Sequence, residues 1–396
     1  MTSALRQTSS AKTAPVTVDT LVARAHAMAG DLRARAEATE AARSVPAEAV
    51  AAFKQADMIR MTQPPRYGGF AMGWDDMCVV GQTLAAADGA QAWIQCIMAD
   101  HAVLLGTFPE QAQDDVWADA PDAVMAASFD PKGVAVPVDG GFQFSGTFGF
   151  ASGIDHADWL ICGGFIVDGD TRDGPHFFLV PMADAEIIDD WHTIGLEGTG
   201  SKSFHVADAF VPAHRRLDGA LARAGKGPGA DVNPEPVYRM PRGSLSSFGF
   251  SAMSVGMAEG LLDEWLRYTA GRVSRGTSMA DSPVSHIVAG ECSAEIAAAD
   301  ALYRRSIGDA MRRLGDGETL SAGYLLAARR DAAWAAKTAL MAGTRLFNAA
   351  GGRAIYESNA LQRQYRNLMA ASAHYSVAWD ENAIAAGRDL IAGAAP

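Results

Sequence analysis

His374 is a candidate for proton chemistry near neutral pH, because an imidazole titrates in that range. It lies in residues 361–381, which helical spacing predicts to be part of a long helix. Arg366 and Tyr365 precede it, and Tyr375 follows it directly. A single histidine on a helix is more often structural than catalytic, so this segment alone leaves both interpretations open.

A second histidine, His101, shares a predicted helix with Trp93 over residues 90–105. The two side chains lie eight residues apart, a little more than two helical turns, so they can lie on the same side of that helix. A core tryptophan and a buried structural histidine are the alternative interpretation of this pair.

Two glycine-rich segments, residues 146–153 and 195–201, combine glycine with serine and threonine. Glycine allows close approach of the backbone to a flat or phosphorylated ligand, and the hydroxyl groups add hydrogen bonds. Neither segment has the spacing of a Rossmann or P-loop motif. Tight hairpin turns are the alternative explanation.

The surrounding pattern predicts an α+β chain with a flexible tail and three folded parts. Residues 1–16 form the tail, and residues 17–121 an α-helical domain. Alternating apolar residues and turn signals predict an antiparallel β domain over residues 122–224. A Gly/Pro-rich linker at 225–238 leads to a helical bundle at 239–396, with helices at 244–272, 284–313, 321–350 and 361–391.

Composition and charge narrow the class of partner. The 396-residue chain has a formal net charge of −13, which disfavours nucleic acid and anionic membranes. Its four cysteines are scattered without metal-binding or disulfide-type spacing, so no metal site is expected and a reducing cytoplasm fits. The sequence also lacks an apolar run long enough to cross a bilayer. We therefore expect a small-molecule or protein partner.

Four motifs in order resemble the acyl-CoA dehydrogenase superfamily. They are the PRYGG loop at residues 65–69, FGFASG at 148–153, WHTIGLEGTGS at 191–201, and AGG at 350–352 followed by QRQYR at 362–366. The resemblance implies an N-terminal helical domain, a middle antiparallel β-barrel and a C-terminal four-helix bundle. It also implies a homotetramer.

The sequence departs from the dehydrogenases of this fold where they hold a catalytic glutamate. That position falls on Tyr375 and the tyrosine before it on His374, while the alternative base position falls near Ser246 or Ser247. Arg275 also replaces a phenylalanine of the dehydrogenase pattern. Because a neutral hydroxyl cannot abstract an α-proton near neutral pH, acyl-CoA dehydrogenation is disfavoured.

The sequence instead resembles the oxygenase branch of this fold, the two-component flavin-dependent monooxygenases. This resemblance rests on Trp93 with His101, on residues 150–159 and on the A-x-x-H ending in His374. It implies reduced FMN or FAD delivered by a separate NAD(P)H-dependent flavin reductase. Dioxygen would then give a C4a-hydroperoxyflavin that hydroxylates a small aromatic or heteroaromatic substrate.

The resemblance also implies roles for individual residues. His374 would protonate the flavin peroxide, Ser152 would bond the flavin N5, and His101 would orient or deprotonate the substrate hydroxyl. The residues assigned to the flavin are Trp93, Phe150, Ala151, Ser152, Gly153, Thr199, Gly200, Ser201, Arg272, Gly351 and Gly352. The residues assigned to the substrate are His101, Tyr375 and Arg242.

Two other functions remain open at this point. One is a dehydrogenase or oxidase with a relocated base, for which Asp380 and Glu381 are the nearest carboxylates. The other is a catalytically silent flavoprotein that keeps the fold.

Overall fold

A computed structural model describes residues 16–274 and 276–394 of the chain. Nearly all of the predicted tail, and Arg275, lie outside these residues. The described part of the chain begins with five α-helices, within the region 17–121 that apolar spacing predicts to be helical. They are α1 (Val18–Ala42), α2 (Ala47–Gln55), α3 (Trp74–Ala85), α4 (Gly89–Leu105) and α5 (Glu110–Trp117).

Helix α4 is the element around which the other layers pack. Asp88 caps its N-terminus by accepting the Gln91 backbone N–H at 2.9 Å. Every residue of α4 is buried, and its four polar side chains, Gln91, Gln95, Asp100 and His101, all have hydrogen-bond partners. It contacts α1 and α3, the first strand and the C-terminal helices. Side chains on different faces of α4 therefore reach different parts of the protein.

The middle of the chain forms a seven-stranded sheet with the order β5-β6-β2-β1-β3-β4-β7. Its strands are β1 (Met125–Val138), β2 (Gly141–Ala151), β3 (Trp159–Asp168), β4 (Thr171–Pro181), β5 (Ala185–Ile188), β6 (Lys202–Pro212) and β7 (Arg216–Asp218). The β1–β3 pair is parallel and the other pairs are antiparallel, so the prediction of a purely antiparallel domain is wrong at this pair. Within residues 16–274 and 276–394 no pairing joins β5 to β7, and the closed barrel is not confirmed.

Helices dominate the remainder of the described chain. They are α6 (Gly219–Ala224), α7 (Arg242–Leu245), α8 (Ser247–Ala270), α9 (Pro283–Gly315), α10 (Ala322–Ala350), α11 (Ala360–Ser372) and α12 (Trp379–Gly393). A short hairpin, β8 (Val273–Ser274) with β9 (Thr277–Ser278), follows α8. Helices α8, α9, α10 and α11 pack on one another, and α12 packs on α10.

The long helix predicted at 361–391 is interrupted, which corrects the expected position of His374. Helix α11 ends at Ser372 and α12 begins at Trp379. His374 has extended backbone angles, φ −63° and ψ 134°, and its side chain accepts the Ser376 backbone N–H. A capping side chain at a non-helical residue ends the helical hydrogen-bond pattern locally. His374 therefore lies on a connection between two helices.

One hydrophobic cluster joins the N-terminal helices to the C-terminal helices, with Leu21, Trp74 and Leu346 among its fully buried members. A second cluster lies within the sheet, and a third joins α4 and α5 to the sheet. The predicted linker 225–238 packs against the N-terminal helices. Asn233 in this segment donates to the carbonyl of Gly106, the residue that follows α4, at 2.7 Å. Among the described helices, none is both long and apolar enough to cross a membrane.

Candidate active site

His374 lies among aromatic side chains contributed by three separate elements. The ring of Phe250 from α8 stacks on it, with centroids 3.9 Å apart and an interplanar angle of 21°. Trp93 from α4 meets it edge-on at 5.8 Å, and Tyr375 is tilted at 4.6 Å. Tyr375 itself is exposed and His374 is partly exposed. A flat ligand therefore has an aromatic surface on which to pack.

The hydrogen bonding of His374 defines its tautomer. Nδ1 accepts the backbone N–H of Ser376 at 3.3 Å, so the proton of the neutral ring is on Nε2. Burial lowers the pKa of His374 to about 4, against an opposing effect of the Asp100 charge. His374 is consequently neutral at pH 7 and offers an Nε2–H donor.

His101 has the opposite arrangement. Its Nδ1 lies 2.7 Å from the carbonyl oxygen of Met125 in β1, and a carbonyl can only accept, so Nδ1 carries the proton. The ring meets Phe129 edge-on at 5.9 Å and is buried. Burial lowers the pKa of His101, while the neighbouring Asp100 charge acts to raise it. His101 is therefore neutral, with an unprotonated Nε2 that accepts.

A buried ion pair lies beside His101. The guanidinium of Arg242 donates to both carboxylate oxygens of Asp100, each at 2.7 Å, and to the Asp100 carbonyl at 3.2 Å. Both side chains are about nine-tenths buried. This bidentate pairing already engages the Arg242 guanidinium, and Arg242 as a substrate contact stays a prediction.

Ser152 follows the end of β2 and is held by two hydrogen bonds. Its Oγ accepts from Trp93 Nε1 at 3.1 Å and lies 2.7 Å from Ser201 Oγ. Ser201 Oγ in turn lies 2.7 Å from Thr199 Oγ1, with Gly200 between them at a φ of 54°. The two glycine-rich segments thus meet here. Because Trp93 also contacts His374, one side chain joins the hydroxyl groups to the aromatic surface.

The residues that end β2 form a tight loop. Phe150 has a φ of 60°, an unusual angle for a bulky residue, and its side chain is 79% exposed. Ala151 is buried, and Gly153 has a φ of 71°. A Cβ on Gly153 would lie 3.3 Å from Ile94 of α4, so glycine allows the loop to rest on that helix.

Arg272, Gly351 and Gly352 form a separate group at the ends of α8 and α10. Arg272 donates to the Ala350 carbonyl. A Cβ on Gly351, whose φ is 75°, would lie 2.7 Å from the Arg272 guanidinium. In the described part of the chain, no hydrogen bond or aromatic contact joins this group to His374 or Ser152.

Three residues of the site are not among the sequence candidates. Phe250 stacks on His374, and Asp100 pairs with Arg242. Asn367 accepts the Leu196 backbone N–H at 2.7 Å. Asp100 directly precedes His101, which is a detectable signal. The role of Phe250 depends on helix packing, which no local pattern reveals.

Two domain families match the sequence. Residues 20–118 match the acyl-CoA dehydrogenase N-terminal domain, and residues 248–379 match the acyl-CoA dehydrogenase C-terminal domain. The chain thus has the acyl-CoA dehydrogenase fold. Along the sequence, a group of helices comes first, the strands of the sheet follow, and a second group of helices comes last.

Individual relatives define the branch. The chain is 34% identical over 355 residues to the flavin-dependent monooxygenase, oxygenase subunit HsaA, of Rhodococcus jostii (strain RHA1), covering 89% of this chain and 93% of that protein. It is 32% identical over 383 residues to the FADH(2)-dependent resorcinol hydroxylase, oxygenase component, of Rhizobium sp. (strain MTP-10005), covering 94% of each. The crystal structure of 3-HSA hydroxylase from Rhodococcus sp. RHA1 superposes with a TM-score of 0.91 at 31% identity, covering 95% of this chain and 98% of that one. The chain belongs to the flavin-dependent monooxygenases of the acyl-CoA dehydrogenase superfamily.

Proposed function

We propose that this protein is the oxygenase component of a two-component system that hydroxylates a small aromatic or heteroaromatic substrate, using reduced flavin and dioxygen. The observation that carries this proposal is the pair of neutral histidines with opposite tautomers. His374 offers a hydrogen-bond donor on an aromatic surface, and His101 offers a buried acceptor. Hydroxylation of a phenol-like substrate can use both groups, the donor at the oxygen being transferred and the acceptor at the substrate hydroxyl.

The residues around Ser152 fit a flavin. Phe150 combines an unusual backbone angle with an exposed aromatic ring, and such outliers occur where a ligand is held. Ser152 Oγ retains one lone pair after accepting from Trp93. Phe150, Trp93 and the 199–201 segment would hold the ring system, and when bound the reduced flavin activates dioxygen so that one oxygen atom enters the substrate.

His374 would donate its Nε2–H to an oxygen atom derived from dioxygen. The stacked Phe250 and the bond from Ser376 fix the orientation of the ring, so the donor direction is set before the ligand binds. Because the pKa of His374 is about 4, the ring stays neutral and does not add a positive charge to the apolar surface.

His101 would accept the hydroxyl proton of a phenol-like substrate at Nε2. Loss of that proton makes the aromatic ring richer in electrons and more reactive toward electrophilic oxygen. The resulting imidazolium would be stabilised by the Asp100 charge and by donation from Nδ1 to Met125. Trp93 and His101 lie eight residues apart on α4, roughly 12 Å along its axis. A substrate that reached His101 from a flavin held at Trp93 would extend along that distance.

The rival dehydrogenase requires a free carboxylate at the site. Asp380 and Glu381 are both exposed in the first turn of α12. Asp100 is the carboxylate whose charge reaches both histidines, but its two oxygens are occupied by Arg242. A carboxylate paired in this way is a poor general base.

The remaining assignments follow from the same proposal. A separate NAD(P)H-dependent reductase would supply the reduced flavin, which is either FMN or FAD. Arg272 with Gly351 and Gly352 would contact the distal half of FAD. A homotetramer in the cytoplasm is also proposed. Exposed apolar side chains on the bundle helices support association, namely Val284, Ile287, Trp334, Met341, Leu390 and Ile391.

The test is oxygen labelling with a panel of small phenols. The protein would be mixed anaerobically with chemically reduced FMN or FAD and then exposed to ¹⁸O₂. We expect a hydroxylated product that carries one ¹⁸O atom. If every phenol yields only hydrogen peroxide and an acyl-CoA reduces the oxidised flavin complex, the proposal is wrong and the dehydrogenase is favoured.

Asp380→Asn is the matched control for the relocated base. Because Asp380 is exposed and has no part in the proposed site, this variant should hydroxylate like the wild type. Loss of all flavin chemistry in Asp380→Asn would instead support the rival.

A further inference from the structure

Five groups form a continuous buried chain of hydrogen bonds. Trp93 Nε1 donates to Ser152 Oγ at 3.1 Å, and Ser152 Oγ lies 2.7 Å from Ser201 Oγ. Ser201 Oγ lies 2.7 Å from Thr199 Oγ1, which donates to the Leu196 carbonyl at 2.7 Å. We refer to these five groups as the hydroxyl relay.

Both ends of the hydroxyl relay fix its direction. The indole N–H of Trp93 can only donate, and the carbonyl of Leu196 can only accept. Three hydroxyl hydrogens must therefore serve the three remaining bonds, and each hydroxyl donates away from Trp93. Ser152 donates to Ser201, Ser201 donates to Thr199, and Thr199 donates to Leu196.

The receiving end of the hydroxyl relay is firmly anchored. The Leu196 carbonyl also accepts the Thr199 backbone N–H at 3.0 Å and Trp191 Nε1 at 3.2 Å. The Leu196 N–H donates to Asn367 at 2.7 Å. Thr199 and Ser201 are 1% and 4% exposed, so water has little access to replace a lost bond.

This direction makes Ser152 an acceptor toward any ligand. Its hydrogen is committed to Ser201 and one lone pair to Trp93, which leaves one lone pair. For Ser152 to donate to a ligand, the hydrogens of Ser201 and Thr199 must reverse. The Thr199 oxygen would then face the Leu196 carbonyl with no hydrogen between them, and one buried bond is lost.

We infer that Ser201 and Thr199 are positioning residues that hold Ser152 as an acceptor and so make the site prefer reduced over oxidised flavin. The inference rests on the proposed function. The central ring of a reduced flavin carries an N–H where the oxidised ring has an unprotonated nitrogen. The free lone pair of Ser152 can accept a hydrogen bond from the N5–H of reduced flavin. The same lone pair would face the lone pair of the unprotonated N5 in oxidised flavin, which is unfavourable. An oxygenase supplied by a separate reductase gains from this preference, because oxidised flavin then competes poorly.

The test compares Thr199→Val with Thr199→Ser. Valine removes the acceptor of Ser201 while nearly keeping the shape of threonine, so Ser201 can donate to Ser152 and free its hydrogen for the ligand. Dissociation constants for oxidised and reduced flavin would be measured anaerobically by titration. We expect the preference for reduced flavin to fall ~5-fold in Thr199→Val, the value of about one hydrogen bond. The midpoint potential of the bound flavin should shift by about −20 mV, at about 30 mV per tenfold for two electrons.

Thr199→Ser keeps the hydroxyl and should keep the wild-type preference. Ser201→Ala should also free the hydroxyl hydrogen of Ser152, because it removes the oxygen to which Ser152 donates. We expect it to lower the preference for reduced flavin, as Thr199→Val does. The inference is wrong if both Thr199→Val and Ser201→Ala fold and leave the ratio of the two constants unchanged. If the wild type hydroxylates its substrate and the ratio in the two variants equals that of the wild type, this inference alone is wrong. If the wild type binds neither oxidised nor reduced flavin, the proposed function is wrong as well.

Discussion

The surroundings of His374 and of His101 differ in almost every respect, although both rings are neutral. His374 lies on an irregular connection, stacked on Phe250 and partly exposed. His101 lies inside α4 beside the Asp100–Arg242 pair. Different backbone partners at Nδ1 leave a donor at Nε2 of the first ring and an acceptor at Nε2 of the second. In the proposed mechanism one residue type would thus serve two tasks, because the backbone partner at Nδ1 selects the tautomer.

The largest expected effect comes from His101→Asn, which removes the basic Nε2 of the imidazole. Product formation should fall by about 10²- to 10⁴-fold, the usual contribution of a positioned base. Reduced flavin should still be oxidised, because the donor at His374 is intact. Product yield and oxygen uptake would be measured together, with the exposed His192→Asn as control. A variant with full product yield would exclude His101 from the chemistry.

Arg242→Met should break the ion pair that distinguishes the two histidine sites. Leaving the buried Asp100 charge unpaired should reduce the free energy of unfolding by about 3–5 kcal/mol. Because the Arg242 charge acts to lower the pKa of His101, its loss should also raise that pKa. The acid limb of the product-formation profile would then move to higher pH. An unshifted limb together with unchanged stability would show that the pair does not couple to His101.

His374→Ala should separate flavin oxidation from hydroxylation. With the Nε2–H donor absent, the fraction of flavin oxidation that yields product should fall about 10-fold, the value of one well-aligned hydrogen bond. Hydrogen peroxide should account for the difference. His374→Gln retains an N–H donor and should recover part of the coupling. Unchanged coupling in His374→Ala would remove His374 from the mechanism.

The smallest effect concerns stability and pH. The folded pKa of His374, about 4, lies below the unfolded value of about 6.5. The unfolded chain therefore binds a proton first as the pH falls, and stability is lost between pH 6.5 and 4. Between pH 7 and 5 these two pKa values correspond to about 2 kcal/mol of stability, and the partial exposure of the ring reduces that difference. His374→Asn should therefore lose about 1 kcal/mol less than the wild type over this interval. The free energy of unfolding would be measured in urea at both pH values. An equal loss in the wild type and in His374→Asn would contradict the lowered pKa of His374.

Apolar spacing predicts most of the long helices within a few residues, because buried positions recur along them at helical spacing. It fails at residues 373–378, where the capping interaction of His374 interrupts a pattern that otherwise continues. It also cannot reveal the parallel β1–β3 pair, because alternation reports strands and not their partners.

For the site, sequence resemblance identifies Trp93, His101, Ser152 and His374 as candidates. Their chemical states depend on contacts distant in sequence, such as the Met125 carbonyl against His101 and the Phe250 ring against His374. No local pattern reports which backbone group faces an imidazole nitrogen. The tautomers and the direction of the hydroxyl relay can therefore be assigned only from the folded structure.

The most direct test of the two-histidine account is ¹⁵N NMR of the imidazole nitrogens at pH 7. The nine histidines would be labelled selectively, and the two signals assigned with His101→Asn and His374→Asn. Protonated and unprotonated ring nitrogens differ strongly in chemical shift, so each tautomer can be read directly. We predict a proton on Nδ1 of His101 and on Nε2 of His374. The same tautomer in both rings, or a doubly protonated ring, would contradict the account.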